Sequence, residues 1–352
     1  SCINDTILHD GVAPVAVLAG TPDSLMNDAS YDIDVQADNG LETYQYAIIA
    51  SDVDCSAASY NGDWVDESTN ISGNLSDGGS WKVCVIGKDL AGNSQSAASA
   101  TTHVWSYDNM QPTLAIASAT VSPTNDGVIP VTITFNEDVT GFVVGDLSVA
   151  GGTAANFAGT GSNYTFDLSP SIAGNVTVDV SAGVAVDSSG NTNAVATQFS
   201  LVYDNVAPTS TAVSIAGSAT HINRASVTLT LAATDATEMY LTNTAGCEAG
   251  GTWEDYNINR SWTLAQSNAT ATVYGKYRDV AGNESGCIND TIIHDNIAPV
   301  VTMTGTPASP TSDAAYDINV DNADGVESYQ YAVINGDALC SAAIYNGTWI
   351  NE

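Results

Sequence analysis

The pattern of aromatic ring, Asp, turn residue, two spacers and Pro occurs four times in this chain, at 9–14, 107–112, 203–208 and 294–299. Its aspartates, Asp10, Asp108, Asp204 and Asp295, stand 98, 96 and 91 residues apart. That interval is the size of one small β domain. Proline removes a backbone N–H and pushes the residue before it into an extended conformation. A strand can therefore end at each Asp and a new one begin after each Pro, with a short stiff joint between. The chain reads as tandem domains at 10–107, 108–203 and 204–294, with the last strand of a preceding domain at 1–9 and a further piece at 295–352.

That further piece is a truncated repeat of the first domain. Residues 1–67 align without a gap to 286–352 at an offset of 285, with 38 of 67 positions identical. Cys2 falls on Cys287, Tyr31 on Tyr316, Cys55 on Cys340 and Trp64 on Trp349. The spacing predicts a parent protein periodic at 285 residues, of which this is a slice. Units of such arrays touch mainly their neighbours.

Inside the domains the apolar residues alternate with period two, as in half-buried strands. Tyr31, Ile33 and Val35 read as inward, with Asp32 and Asp34 outward. In the second domain Val131, Ile133 and Phe135 alternate with threonines, as do Val176 and Val178 with Thr177 and Asp179. The third has Val227, Leu229 and Leu231. Turn signals such as Asp38-Asn39-Gly40 and Asp77-Gly78-Gly79 separate the strands. No stretch keeps a 3.6-residue apolar period. The expected fold class is all-β, with tandem immunoglobulin-like β-sandwiches in an end-to-end array.

A second motif, D-x-x-G-N, runs from Asp89 to Asn93, Asp187 to Asn191 and Asp279 to Asn283, each 16 to 19 residues before a joint Asp. That leaves room for a turn and one last strand. Asp can accept backbone N–H groups there and Gly can take positive φ. The segments 87–93 and 277–283, and the middle domain from Val131 through Asn191, resemble the closing hairpins of bacterial immunoglobulin-like repeats found in very large adhesins and cell-surface proteins. The resemblance covers all three domains. It implies an extracellular sandwich array, in some members with calcium at the joints, and it implies no single activity.

Charge narrows the partners. Forty acids stand against six bases, a net charge of −34, and no Lys or Arg lies between Asp108 and Tyr203. A phosphate-tracking nucleic-acid surface needs clustered bases, so nucleic acid is excluded as a partner. Docking on anionic lipid is disfavoured in the same way. No apolar run reaches the ~18 residues that cross a bilayer, so no membrane insertion is expected in this segment. Either a salty medium screens the self-repulsion or divalent cations neutralise part of it.

Six cysteines offer two pairs within complete domains, Cys55 with Cys84 and Cys247 with Cys287. Cys2 and Cys340 are the repeat images of Cys287 and Cys55, so their partners are expected outside the slice. Disulfides imply an exported protein, extracellular or on the cell surface. Zinc is disfavoured, since no C-x-x-C and no paired His occurs. Cys84 alternates with Val83 and Val85, so its bridge is expected to be a surface clasp.

No catalytic constellation is found, and no enzyme is expected. His9 and His294 take the place of Tyr107 and Tyr203 and read as packing rings. Glu137 and Asp138 are adjacent strand residues that face opposite sides, unlike a glycosidase pair. Ten N-x-S/T sequons match chance in so Asn- and Thr-rich a chain. Trp64, Trp253 and Trp349 follow Gly-containing turns; packing into a sandwich core is favoured over a sugar platform.

Calcium is the one cofactor the sequence brings forward. Because one strand separates the last turn from the outgoing joint, that turn lies at the incoming end of its own domain. Asp89 should then approach Asp10, Asp187 approach Asp108, and Asp279 approach Asp204. With Asn93, Asn191, Asn283 and Asp295, these oxygens suit Ca²⁺, which takes 6–8 oxygens at about 2.3–2.6 Å. The alternative is that these residues only cap turns through Asx hydrogen bonds. The expected work is that of a stalk whose partners are neighbouring repeats of the same protein. Lateral assembly of copies into a filament, sheath or surface layer is the second reading, and a sugar- or protein-binding adhesion module the third.

Overall fold

The computed structural model describes residues 7, 9–36, 40–306, 318–321, 327–334, 336 and 340–351. Cys2, Asp38 and Asn39 lie outside the described residues, as does most of the expected strand at 1–9. The chain separates into two compact units, 1–206 and 207–352. Among the described residues no helix is long and apolar enough to cross a membrane.

In the first unit, the sandwich after Asp10 has a three-stranded sheet of Val17–Ala19, Ser30–Gln36 and Ile71–Asn74. Facing it is a five-stranded sheet, in the order Leu25–Met26, Thr101–Tyr107, Gly79–Asp89, Leu41–Ala50 and Val65–Asp66. Leu25–Met26 joins in parallel and its neighbours pair antiparallel. The alternation sends Ile33 and Val35 into the core with Tyr44, Ile71, Val83, Val85 and Trp105.

The second sandwich follows Pro112. Leu114–Ala117, Ile129–Val139 and the segment Gly152–Pro170 form one sheet, and Leu147–Ala150, Gly174–Val180 and Phe199–Tyr203 the other. Gly152–Pro170 is extended throughout yet doubles back on itself. A Cβ at Gly152 would lie 2.7 Å from the Ser169 carbonyl oxygen, and one at Gly159 would lie 2.6 Å from Tyr164 Cα. Asn156 Nδ2 donates to Asp167 Oδ2 at 2.8 Å across the same hairpin. The two limbs complete a four-against-three partition, that of an immunoglobulin constant-type sandwich. Val131, Ile133 and Phe135 from one sheet meet Val176, Val178 and Val180 from the other.

The second unit repeats the first sandwich's plan. Thr209–Ile215, Ser226–Thr234 and Asn259–Thr263 face a five-stranded sheet ordered His221–Ile222, Ile288–His294, Ala269–Arg278, Glu238–Thr242 and Trp253–Asp255. Its core holds Val227, Leu229 and Leu231 against Ala271, Val273 and Tyr277. Beyond Asp295 the described strands are short pairs, Thr302–Thr304 with Asn319–Asp321 and Ser328–Tyr329 with Ile350–Asn351.

The cysteines pair Cys55 with Cys84 and Cys247 with Cys287, each with a Cα–Cα distance of 5.8 Å. One expectation needs correcting. Cys84 does stand apart from the core cluster, but it is fully buried, and Cys55 is nearly so. The short 3-10 turns Cys55–Ala57 and Ala97–Ser99 pack together over that outer face of the sheet. The bridge is a covered clasp. Cys247 is likewise buried, while its partner Cys287 is exposed. Cys340 is exposed and unbridged.

Candidate functional site

The joint between the first and second domains gathers three carboxylates. Asp108 comes from the joint itself, Glu137 from the far end of Ile129–Val139, and Asp187 from the turn that closes the second domain. Their oxygens lie within 4.8 Å of one another. Local chemistry sets each in place. Asp108 Oδ1 accepts from Met110 N at 2.9 Å, folding the joint into an Asx turn. Asp187 Oδ1 accepts from Ser189 N and Asn191 N, both at 2.8 Å, and its Oδ2 accepts from Asn191 Nδ2 at 3.0 Å. Gly190 makes this turn possible by taking φ of 95°.

The turn also grips the joint. Asn191 Nδ2 donates to the Asp108 carbonyl oxygen at 2.9 Å, and Ser189 Oγ donates to Asp108 Oδ2 at 3.2 Å. Glu137 reaches the cluster through an irregularity in its strand, where pairing with Gly152–Pro170 shifts register between Thr134 and Val139. Burial first, and then the charges of Asp187 and Asp108, push the Glu137 carboxyl above its usual range. The segment 108–203 contains no Lys or Arg to offset these charges. Three converging hard-oxygen donors with no internal cation are a donor set that fits a divalent ion.

Glu137 is not singled out by the sequence, because alternation along a regular strand puts it and Asp138 on opposite faces. Its position near the end of Ile129–Val139, the same end of the domain as the closing turn, is the signal that could have found it.

The other motif residues make Asx turns and turn-to-joint bonds. Asp10 Oδ1 accepts from Val12 N at 3.0 Å, Asp204 Oδ1 from Val206 N at 3.0 Å, and Asp295 Oδ1 from Ile297 N at 2.9 Å. Asp89 accepts from Asn93 N and Asn93 Nδ2 at 2.8 Å, and Asn93 Nδ2 also meets the Asp10 carbonyl oxygen at 3.2 Å. The Asn93 amide holds the Asp89 carboxyl below its usual range, helped by backbone amides of the turn and opposed by burial. Asp279 accepts from Asn283 N and Nδ2 at 2.9 Å. Among the described residues, the cluster of Asp108, Glu137 and Asp187 is the one group of three acidic, His or Cys side chains so close together.

The tryptophans differ from expectation. Trp64 and Trp253 belong to neither core cluster. Each is half-buried on the short edge strand, or at its start, under basic side chains: Lys88 Nζ at 5.0 Å over Trp64, and Arg278 and Lys276 at 4.3 and 5.2 Å over Trp253. Cations occupy the ring faces. Trp349 is exposed. Of the joint histidines, His294 is buried with Nδ1 bonded to the Gln266 carbonyl oxygen at 2.7 Å, and His9 is exposed.

A search of curated proteins finds no match. Among solved structures, a tetra-tandem repeat in the extending region of a large adhesion protein is 17% identical, covers 84% of this chain and 78% of its own, and has a TM-score of 0.28. Invasin, a bacterial integrin-binding protein, is 12% identical over 91% of this chain and 71% of its own, with a TM-score of 0.33. Titin domains A168–A170 are 13% identical over 80% and 97%, at 0.34. Whole-chain likeness at these scores carries no functional argument. The family model described as bacterial Ig-like domain matches residues 108–203. This stretch, with its four-against-three sandwich and its acid-lined closing turn, is similar to the bacterial Ig-like domain family.

Proposed function

We propose that this chain is a stalk segment of a large repetitive protein carried outside the bacterial cell, and that calcium stiffens its first complete joint. The observation that carries the reading is the closing turn of the second domain bonded across the joint to Asp108 through Ser189 and Asn191. A turn that holds the linker of its own domain fixes the angle at which that domain leaves its neighbour. Such a device serves a chain whose work is to span distance. Asp108, Glu137 and Asp187 would hold the ion, which would supply the positive charge the segment lacks. The two disulfides suit an oxidising location.

The experiment is thermal melting and small-angle scattering of the 352-residue chain in calcium and in EDTA. Calcium should raise the melting temperature of the middle domain and lengthen the particle, and Asp187→Ala should remove both responses. Identical melting and dimensions in the two buffers would reject the calcium reading. Concentration-dependent growth into filaments would favour lateral assembly over the stalk.

A further inference from the structure

The joint between the first and second domains shows how one domain receives the next. The closing turn of the second domain rests on Asn27 of the first, where a Cβ at Gly190 would come within 3.1 Å of Asn27 Nδ2. Asn27 directly follows the short strand Leu25–Met26, which runs parallel to the last strand of its domain. Asn223 holds the same place in the third domain. It directly follows His221–Ile222, which runs parallel to Ile288–His294.

At Asn223 there is a shallow, open depression, a cavity of about 500 Å³. Its walls include Ala219, Ile222, Arg224 and the joint residue Asp295. Arg224 forms no ion pair among the described residues, whereas Arg260, Lys276 and Arg278 each pair with a glutamate. Ala219 and Ile222 supply apolar patches in a mixed lining, and Asn223 and Arg224 have no side-chain partner among the described residues, so the surface can receive a turn of backbone carrying an apolar tip.

The sequence says which turn this is. The residues from Asp295 onward repeat the first domain, so the domain received at this cavity is a first-domain copy. The closing turn of the first domain is fastened to its incoming joint as in the second, Asn93 Nδ2 to the Asp10 carbonyl oxygen matching Asn191 Nδ2 to that of Asp108. It therefore presents its tip in the same direction. That tip is Leu90, 85% exposed, where the second domain has Ser188. A leucine in open water at the crest of a turn gains by burial.

We propose that the cavity at Asn223 is the socket for the closing turn of the first-domain copy that follows the third domain. Leu90 of that copy enters between Ala219 and Ile222, and Asn223 and Arg224 donate to the carbonyl oxygens of the turn. The inference rests on the end-to-end stalk reading. It adds a joint of different chemistry, where Ile222 and Arg224 stand beside Asp295, to the joint of three carboxylates at Asp108.

The test lengthens the chain after Glu352 by a copy of residues 68–107, which completes the domain begun at Asp295. Bridging of Cys340 to the appended Cys84, read by thiol titration, reports that the added domain has folded. Amide hydrogen exchange at 216–224 should then be about tenfold slower than in the 352-residue chain. Leu90→Asp in the appended copy should return it to the original rate. Ala219→Trp, which fills the cavity while the sequence of the added domain stays as it is, should do the same. Equal exchange in the two chain lengths, or protection that survives either variant, would overturn the socket. If the lengthened chain stays extended in scattering while exchange is unchanged, the socket falls and the stalk reading stands.

Discussion

At the scale of single residues, Glu137 carries the clearest consequence. Its carboxyl is held above the usual range by burial and by Asp187 and Asp108. A raised carboxyl pKa means that the folded domain binds this proton more tightly than the unfolded chain does. The charged cluster therefore costs stability above the raised pKa, and the cost vanishes as pH falls through it. In calcium-free buffer the site should favour the fold increasingly as the pH drops from neutral into the raised range. Glu137→Gln should flatten that part of the profile and raise the melting temperature at neutral pH by a few degrees. In calcium the order should reverse, with the wild type the more stable. A variant that melts like the wild type at every pH would show that the three carboxylates do not interact. Asp89 has the opposite sign: its lowered pKa gives stability above the usual aspartate range that is lost as pH falls through the lowered value.

At the scale of elements, the domains hold their sheets differently. The first and third use a disulfide and a short edge strand whose tryptophan lies under basic side chains. Lys88, Lys276 and Arg278 are half of all the Lys and Arg in the chain, so the few cations present serve those edges. The middle domain has no cysteine, no Lys and no Arg, and relies on its apolar core. Reduction should thus unfold the flanking domains first. Loss of the Cys55–Cys84 bridge, which spans 29 residues, should cost the first domain about 3–4 kcal/mol by chain-entropy reasoning. Urea unfolding of Cys55→Ala with Cys84→Ala checks it. An unchanged first transition, or an equal loss in the middle domain, would count against the assignment.

At the scale of the whole chain, the net charge of −34 works against every compact domain at once. Screening lengths fall from about 30 Å at 0.01 M salt to about 3 Å at 1 M. Monovalent salt should therefore raise the melting temperatures of all three sandwiches together. Calcium at millimolar concentration should act on the middle one selectively, because there three carboxylates converge. Differential scanning calorimetry in the two salts separates the effects. A calcium response shared evenly by all domains would reduce the cluster to one more patch of screened charge.

The sequence by itself determined the fold class, because period-two alternation such as Val131, Ile133 and Phe135 leaves one buried face per strand and the four joint motifs leave about a hundred residues to close each sandwich. It also carried the meeting of the closing turns with the joints, since a single strand between turn and exit puts the turn at the entrance, where Asn191 meets Asp108. What only the tertiary structure decided were matters of what covers what. Cys84 does alternate away from the core, but two short 3-10 turns distant in sequence bury it. Trp64 and Trp253 are held under Lys88 and Arg278, drawn from another strand. Glu137 joins Asp108 and Asp187 from a strand end whose register shift turns it toward the joint. Alternation fixes the side of a sheet on which a residue lies, and only the packed chain fixes which distant segment comes to lie over it.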